Sequence, residues 1–191
     1  MHQRGCDLSS CQEKWRTALP KDQALDAVDA ITSEWKSRRP DLDFAYLATM
    51  GRILRISAHL RERMDSWLEP FGLSWEMFDL LVTLLRSGEP DGLRPTDLYE
   101  LCMLSSGATT NRIDRAEKLG YVERHPDRED GRATRIALTK RGRAIAQEAI
   151  SWHTQQATAI SAALSAQERK QLGQLLGKLL RSFEGGALRN K

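Results

Sequence analysis

Apolar side chains recur three or four positions apart over most of the chain, which is the spacing of amphipathic helices. Proline and glycine interrupt this pattern, and Pro40, Pro70 and Gly88 each stand where a helical stretch should end. Ser74 is a suitable N-cap residue, and Pro95 suits the first turn of a helix, where its missing N–H is not needed. The pattern predicts helices at 21–38, over about 25 residues from position 43, at 74–88, from Pro95 onward, at 105–119, at 140–165 and at 166–185.

Two short segments alternate between apolar and polar residues, which is the period of a β-strand. They are 121–124 and 134–139, and the loop HPDREDGRA joins them. Pro126 and Gly131 give this loop its turn chemistry. Because helix, helix, helix, hairpin is the order of a winged helix-turn-helix, we expect a mainly α (α+β) fold built around that module.

The predicted elements divide the chain into segments. Residues 1–20 lack periodicity and are expected to be a disordered tail, and 186–191 form a second tail. The winged helix-turn-helix covers 74–139, with helices at 21–73 and 140–185 on either side. Since the apolar stripes of these terminal helices are longer than one small domain can cover, we expect them to form a homodimer interface. Packing within a single chain is the other possibility.

Positive charge is concentrated in one part of the chain. The whole sequence has 29 Lys and Arg against 26 Asp and Glu, a net charge of +3. Residues 104–143 contain ten basic and six acidic residues, so the remainder is close to neutral. The excess charge therefore lies on the predicted 105–119 helix, the hairpin and its exit, where a nucleic-acid partner would be met.

The 105–119 helix has an apolar face and a small polar face. At about 100° per residue, Ile113, Ala116 and Leu119 lie together and are expected to face the core. The opposite face begins with small residues that allow close approach, and free N–H groups at a helix N-terminus attract phosphate. We therefore expect this face to enter a DNA major groove. Its predicted contacts are Ser105, Ser106, Gly107, Thr109, Thr110, Asn111 and Arg115.

The hairpin has a basic tip. Arg128 and Arg132 are expected to enter a neighbouring minor groove, where a narrow width deepens the negative potential. Asp130, two residues before Arg132, is expected to hold the Arg132 guanidinium in place.

Other classes of protein are disfavoured. Three cysteines without metal spacing and four scattered histidines predict neither a disulfide framework nor a metal site. The sequence has no nucleophile and base constellation and no phosphate-binding glycine loop, so we expect no enzyme and no cofactor. No apolar run approaches the roughly 18 residues of a membrane span, and the N-terminus lacks a secretory signal, so the expected location is the cytoplasm.

The run LSSGATTNRIDRAEKLGYVERHPDREDGRATRIALTKRGR, at 104–143, resembles the multiple-antibiotic-resistance regulator (MarR) family of bacterial transcription factors. The resemblance covers nearly the whole chain after residue 22. It implies a homodimer of winged helix-turn-helix subunits that binds palindromic operator DNA and, in many members, is released by small aromatic acids. The family wing usually shows Asp-Arg-Arg where this chain has Asp130, Gly131 and Arg132. The resemblance thus gives Arg132 the minor-groove role, with Asp130 as its orienting partner.

A closer resemblance is to the urate-responsive branch of that family. This branch has an added N-terminal helix carrying a Trp, an Asp in the helix before the reading head, and two Arg further on. The matching positions are Trp35, Asp79, Arg112 and Arg124. The resemblance implies that a planar aromatic anion stacks near Trp35, is gripped by the two arginines and meets Asp79. Urate is the first candidate, with hydroxynicotinate, salicylate-like and indole acids as others.

The residues themselves support this site in part. Arg112 falls beside the inward stripe of its helix, and a partly buried Arg needs an anionic partner. Asp79 is placed on a polar face of its own helix, together with Glu76, Thr83 and Arg86. From periodicity alone, Trp35 suits the end of an apolar stripe as well as a stacking platform for a ligand.

These patterns together predict a ligand-responsive transcriptional regulator, expected to act as a repressor. A thiol-responsive regulator using Cys102 is the alternative, although a thiol on an apolar core helix is usually inert. A winged helix used only for protein contacts is disfavoured by the basic wing.

Overall fold

The computed structural model describes residues 25–102, 109–127 and 130–184. These residues contain seven α-helices and one two-stranded sheet. The elements are α1 (Ala27–Arg38), α2 (Arg52–Leu68), α3 (Trp75–Ser87), α4 (Pro95–Leu101), α5 (Thr109–Lys118), β1 (Val122–Pro126), β2 (Thr134–Leu138), α6 (Lys140–Ser161) and α7 (Ala166–Glu184). The predicted tails at 1–20 and 186–191 lie outside the described residues.

The chain forms two compact units. The larger unit is 58–162, and the smaller unit combines the described residues of 1–57 with those of 163–191. The larger unit is therefore more extensive than the predicted winged helix-turn-helix, because it also includes residues 58–73 and all of α6.

Helix α3 is the central helix of the larger unit. The Ser74 hydroxyl accepts a hydrogen bond from the Met77 N–H at 3.3 Å, and Gly88 ends the helix with a left-handed φ of 70°. Both ends lie where the sequence predicted them. Phe78 and Leu81 are at most 2% exposed, and α3 packs along α6. Burial of this kind stabilises the fold by about 1.5–3 kcal/mol per large apolar side chain.

An aromatic cluster joins α2, α3 and α6. The ring of His153 on α6 lies 5.0 Å from Phe78, 5.6 Å from Trp67 and 5.8 Å from Trp75, measured between ring centres. Burial lowers the pKa of His153, because a charged imidazolium is poorly solvated among these rings. The imidazole is therefore neutral in the folded protein near pH 7.

Helix α5 packs its apolar face inward. Ile113 is 2% exposed and Ala116 is fully buried, as predicted. Leu119, however, is 39% exposed, and the prediction that it faces the core was wrong. The cause is the end of the helix: Gly120 has a φ of 71°, and the Tyr121 N–H bonds to the Ala116 carbonyl at 2.9 Å, which turns the chain after Lys118.

The hairpin follows directly. Strands β1 and β2 pair antiparallel, with Val122 opposite Leu138 and Pro126 opposite Thr134. The outer edge of β2 also pairs with the segment before α4, since Leu93 and Ile136 exchange N–H···O bonds of 3.0 and 2.8 Å. The hairpin is thus hydrogen-bonded to the helix-turn-helix through backbone groups.

In the smaller unit, α1 begins with a capping box. Asp26 accepts from the N–H groups of Val28 and Asp29, while Asp29 accepts from the Asp26 N–H. Arg52 binds both carboxylates, at 2.8 and 2.7 Å. Val28 is buried against Gly51, where an added Cβ would come within 3.1 Å of it.

The helix predicted from position 43 is built of several pieces. A π-helical turn covers Leu47–Gly51, α2 follows, and a 3₁₀ turn covers Glu69–Phe71. Sequence periodicity does not separate these pieces, since all three keep an approximately helical spacing.

Helix α7 exposes much of its apolar surface, and no residue of it is buried. Five large apolar side chains are between 42% and 59% exposed: Leu172, Leu175, Leu176, Leu180 and Phe183. Such a row of exposed apolar side chains is typical of an interface.

Candidate nucleic-acid interface

The outward face of α5 carries the polar residues that the sequence assigned to it. Thr110, Asn111 and Arg115 are exposed on the side opposite Ile113 and Ala116. Packing of the two buried residues against the larger unit fixes which side of α5 faces solvent. The predicted contacts Ser105, Ser106 and Gly107 lie outside the described residues. Thr109 is the first residue of α5.

The wing tip is arranged differently from the expectation. Arg132 is exposed, but the Asp130 carboxylate accepts a hydrogen bond at 3.0 Å from the backbone N–H of Arg132 rather than orienting its guanidinium. The Asp130 carbonyl also accepts from the Ala133 N–H at 2.8 Å. Asp130 therefore shapes the backbone turn that presents Arg132, as Asp commonly does in tight turns. Arg128 lies outside the described residues.

A buried carboxylate lies at the wing base, which we define as the point where the loop between the two strands leaves β1 and β2, and the sequence did not reveal it. The Asp127 side chain is 1% exposed and accepts from Nε of Arg94 at 2.8 Å and Nε of Arg135 at 3.0 Å. Arg135 also donates to the Gly92 carbonyl at 2.9 Å. In the sequence Asp127 was one acid among several in a charged loop. The only available signal was Arg135, a cation inside a strand of mostly apolar residues.

A second polar cluster lies around Asp79 in α3. Asp79 is 3% exposed and Thr83 is 1% exposed, so the interpretation of this side of α3 as a polar face was wrong. The reason is that α3 packs against α4, α5, α6 and β2 and has little surface left. Nearby, Arg86 donates to the Thr83 hydroxyl at 3.4 Å and to the Leu101 carbonyl at 2.5 Å.

Cys102 and Arg112 belong to the same neighbourhood. The pKa of the Cys102 thiol is raised, first by burial and then by the negative charge of Asp79. A hydrogen bond with Thr83 and the positive charges of Arg112 and Arg86 oppose this rise. Arg112 is half-buried, as its position on the helix predicted. The structure thus brings Asp79 and Arg112 into one electrostatic environment.

Arg124 on β1 lies on the outer side of α5. Its guanidinium binds Asp114 at 2.5 Å and also binds Glu117, and the pKa of Arg124 is raised chiefly by the hydrogen bond that it donates to Asp114. Arg124 is partly exposed, so these ion pairs are screened by water and their stabilisation is modest. They connect the first wing strand to α5.

Trp35 is on α1, in the smaller unit. Its ring stacks on Phe44 with the ring centres 5.5 Å apart and an angle of 19° between the planes. Phe44 is buried, whereas Trp35 is 47% exposed, which leaves part of the indole open for a further contact.

Other chemistry is absent from the part of the chain that the structure describes. Among these residues no group of three or more His, Cys, Asp or Glu side chains is placed to hold a metal ion. None of the described helices has the length and apolar character needed to cross a bilayer.

Comparison with known sequences agrees with this arrangement. A family model described as the MarR family matches residues 71–133. The chain is 31% identical over 152 residues to the HTH-type transcriptional regulator PecS of Dickeya dadantii, covering 80% of this chain and 92% of PecS. It is 27% identical over 161 residues to the transcriptional repressor MprA of Escherichia coli, covering 83% of this chain and 90% of MprA.

Solved structures have the same fold. A complex of Staphylococcus aureus MepR with DNA is similar with a TM-score of 0.63 and 25% identity, over 74% of this chain and 98% of MepR. A mutant MarR from E. coli bound to operator DNA is similar with a TM-score of 0.62 and 25% identity, over 73% of this chain and 99% of MarR.

Proposed function

Because this chain belongs to the MarR family of transcriptional regulators, we propose that it binds palindromic operator DNA as a homodimer and is released by a small aromatic acid. The observation that carries the DNA-binding part is the exposed face of α5, with Thr110, Asn111 and Arg115, on the same compact unit as the exposed wing residue Arg132. The likeness to the MepR and MarR complexes with DNA supports it.

Each of these parts has a distinct role. Asn and Arg side chains on a recognition helix can hydrogen-bond to base edges in a major groove, which gives sequence specificity. Arg132 on the wing would reach a minor groove or phosphate, which adds affinity. Thr109, Ser105, Ser106, Gly107 and Arg128 are proposed to extend these contacts. We expect the protein to act in the cytoplasm as a repressor.

Homodimer formation is supported by the exposed apolar surface of the smaller unit. Besides α7, the side chains of Tyr46 and Leu54 are 58% and 71% exposed. Covering each large apolar side chain would contribute about 1.5–3 kcal/mol, so several together could sustain a stable dimer. A dimer that binds two half-sites must hold its recognition helices about 34 Å apart, one turn of DNA.

We propose that the ligand is an anionic aromatic compound bound near Asp79 and Arg112. A buried carboxylate can accept from a ligand N–H or hydroxyl, while a half-buried guanidinium can bind a carboxylate or enolate. Asp79 is on α3 and Arg112 is on α5, and these two helices pack together. A ligand that binds both residues would therefore move the recognition helix α5. The roles of Trp35 and Arg124 rest on the sequence resemblance to the urate-responsive branch.

Arg124 has a specific consequence for release. To bind a ligand anion it would exchange Asp114 and Glu117 for the ligand, which would loosen the link between β1 and α5. A ligand that prefers the resulting state by about 3 kcal/mol, or roughly 100-fold, would be sufficient for release of the operator.

A thiol switch through Cys102 is the less favoured candidate. Since burial raises the pKa of the thiol, the reactive thiolate is scarce near pH 7 and oxidation should be slow. Only its position beside Asp79 and Arg112 connects it with regulation.

The DNA-binding proposal is tested with Arg132→Ala, which removes an exposed wing charge without touching the core. We expect about a tenfold loss of affinity for a duplex that wild-type protein selects from a random-sequence library. Lys170→Ala removes a charge from α7 that is also exposed, and it is the matched control, expected to change little. Equal effects of the two variants would refute the assignment of the wing.

A further inference from the structure

The buried Asp127 carboxylate connects three separate segments of the larger unit. It receives Arg94 from the segment before α4, Arg135 from β2 and, at 3.3 Å, the N–H of Asp130 from the wing tip. Its own N–H donates to the Ala133 carbonyl at 2.9 Å on the other arm of the hairpin. One side chain thus holds the entry of the helix-turn-helix and both arms of the wing.

Burying a charge is costly unless it is paired and hydrogen-bonded. Asp127 is 1% exposed on its side chain, whereas Arg94 and Arg135 are 39% and 24% exposed, so the anion is the most desolvated member. Removing the anion would leave these two guanidinium groups without the carboxylate that they share. The arrangement of these three segments therefore depends on the Asp127 carboxylate more than on either arginine.

The connection is continued by the backbone. Arg135 donates to the Gly92 carbonyl, and the next residue, Leu93, exchanges two hydrogen bonds with Ile136. These contacts determine the angle at which the hairpin leaves the helix-turn-helix. Arg132 lies on the hairpin beyond this point.

We infer that Asp127 is a positioning residue for DNA binding: it does not touch DNA itself but holds the wing at the angle at which Arg132 reaches it. This inference rests on the proposed DNA binding. It differs from a general role in stability, because only contacts made by the wing depend on the wing angle, while contacts made by α5 do not.

A double-mutant cycle separates the two roles. Asp127→Asn keeps the volume and one acceptor oxygen while removing the charge. We expect Asp127→Asn and Arg132→Ala each to weaken binding to the selected duplex about tenfold, and the double variant to be no weaker than about tenfold, since the wing contact is lost only once. In combination with Arg115→Ala on α5, the Asp127→Asn effect should instead multiply, to about a hundredfold.

Hydrogen exchange supplies a readout that needs no DNA. In Asp127→Asn the amides of Leu93 and Ile136 should lose protection, while the amide of Leu81 in α3 keeps it, because the change opens the wing base and not the core. If Asp127→Asn does not fold, Arg94→Gln removes one arm of the same cluster and should give the same pattern more weakly.

Three outcomes would overturn the inference. The first is an unchanged DNA affinity in Asp127→Asn. The second is a combination of Asp127→Asn with Arg132→Ala in which the two losses of affinity multiply, as they do with Arg115→Ala. The third is a loss of amide protection at Leu81 equal to the loss at Leu93 and Ile136. A wild-type protein that selects no duplex would instead refute the proposed function, and the inference with it.

Discussion

Replacing Gly92 with alanine should destabilise the protein far more than the same change at Gly88. Both glycines have a left-handed backbone, with φ of 79° and 70°. Their surroundings differ. A Cβ at Gly92 would lie 2.0 Å from the Ile136 carbonyl oxygen and 2.8 Å from the Ala137 Cα, whereas nothing lies within 4 Å of a Cβ at Gly88.

The difference can be estimated from the contacts at risk. Both variants carry the cost of alanine in the left-handed region, about 1–2 kcal/mol, and both gain equally from a less flexible unfolded chain. Only at Gly92 must the segment move away from β2, which breaks the two Leu93–Ile136 hydrogen bonds and the bond from Arg135 to the Gly92 carbonyl. At about 1 kcal/mol for each bond, Gly92→Ala should be about 3 kcal/mol less stable than Gly88→Ala.

The assay is urea unfolding followed by far-UV circular dichroism, with all proteins at one fixed concentration so that association does not change the comparison. The free energy of unfolding of each variant is compared with wild type. Losses that agree within about 1 kcal/mol would show that the wing base tolerates the added methyl group, and the account of this contact would be wrong.

Three further predictions concern pH, ligand and thiol. The pKa of His153 is lowered on folding, so the stability that the neutral imidazole contributes is present above the unfolded pKa near 6.5 and is lost as the pH falls below that value. Thermal melts between about pH 5 and 8 should show this loss in wild type and much less of it in His153→Phe. An equal dependence of melting temperature on pH in the two proteins would contradict the prediction. Arg124→Ala should blunt release by an aromatic acid more than it weakens DNA binding, and an unchanged ligand response would remove Arg124 from the site. Peroxide at concentrations that oxidise free cysteine should leave DNA binding nearly intact in both wild type and Cys102→Ser, because burial raises the thiol pKa; rapid loss in wild type alone would favour the thiol switch.

Local features of the fold could be predicted from the sequence because they depend on residues close together in the chain. The Ser74 cap, the Gly88 stop and the Pro95 start all lie where the predictions placed them. The inward side of α5 followed from the 3.6-residue period of a helix, which holds as long as the helix continues. It failed at Leu119, where the chain leaves the helix.

The polar interior could not be predicted, because it depends on contacts between distant residues. Arg94 and Asp127 are 33 residues apart, and nothing in the local pattern marks Asp127 as buried or Arg94 as its partner. Asp79 was placed on a polar face because a helical wheel counts sides, not neighbours, and α3 is covered by other elements on nearly every side. In the same way, the pairing of Arg124 with two carboxylates on α5 required the register of β1 against that helix.

The most direct test of the proposed function is fluorescence anisotropy of the full chain on a labelled duplex from the region upstream of its own coding sequence, at fixed salt, titrated with urate and a panel of aromatic acids. We predict a dissociation constant on the order of 10 nM or tighter, weakening steeply with salt, and release by at least one of the acids. Absence of salt-dependent binding, both to this duplex and to a library of random sequences, would contradict the central claim that α5 and the wing form a DNA-binding surface.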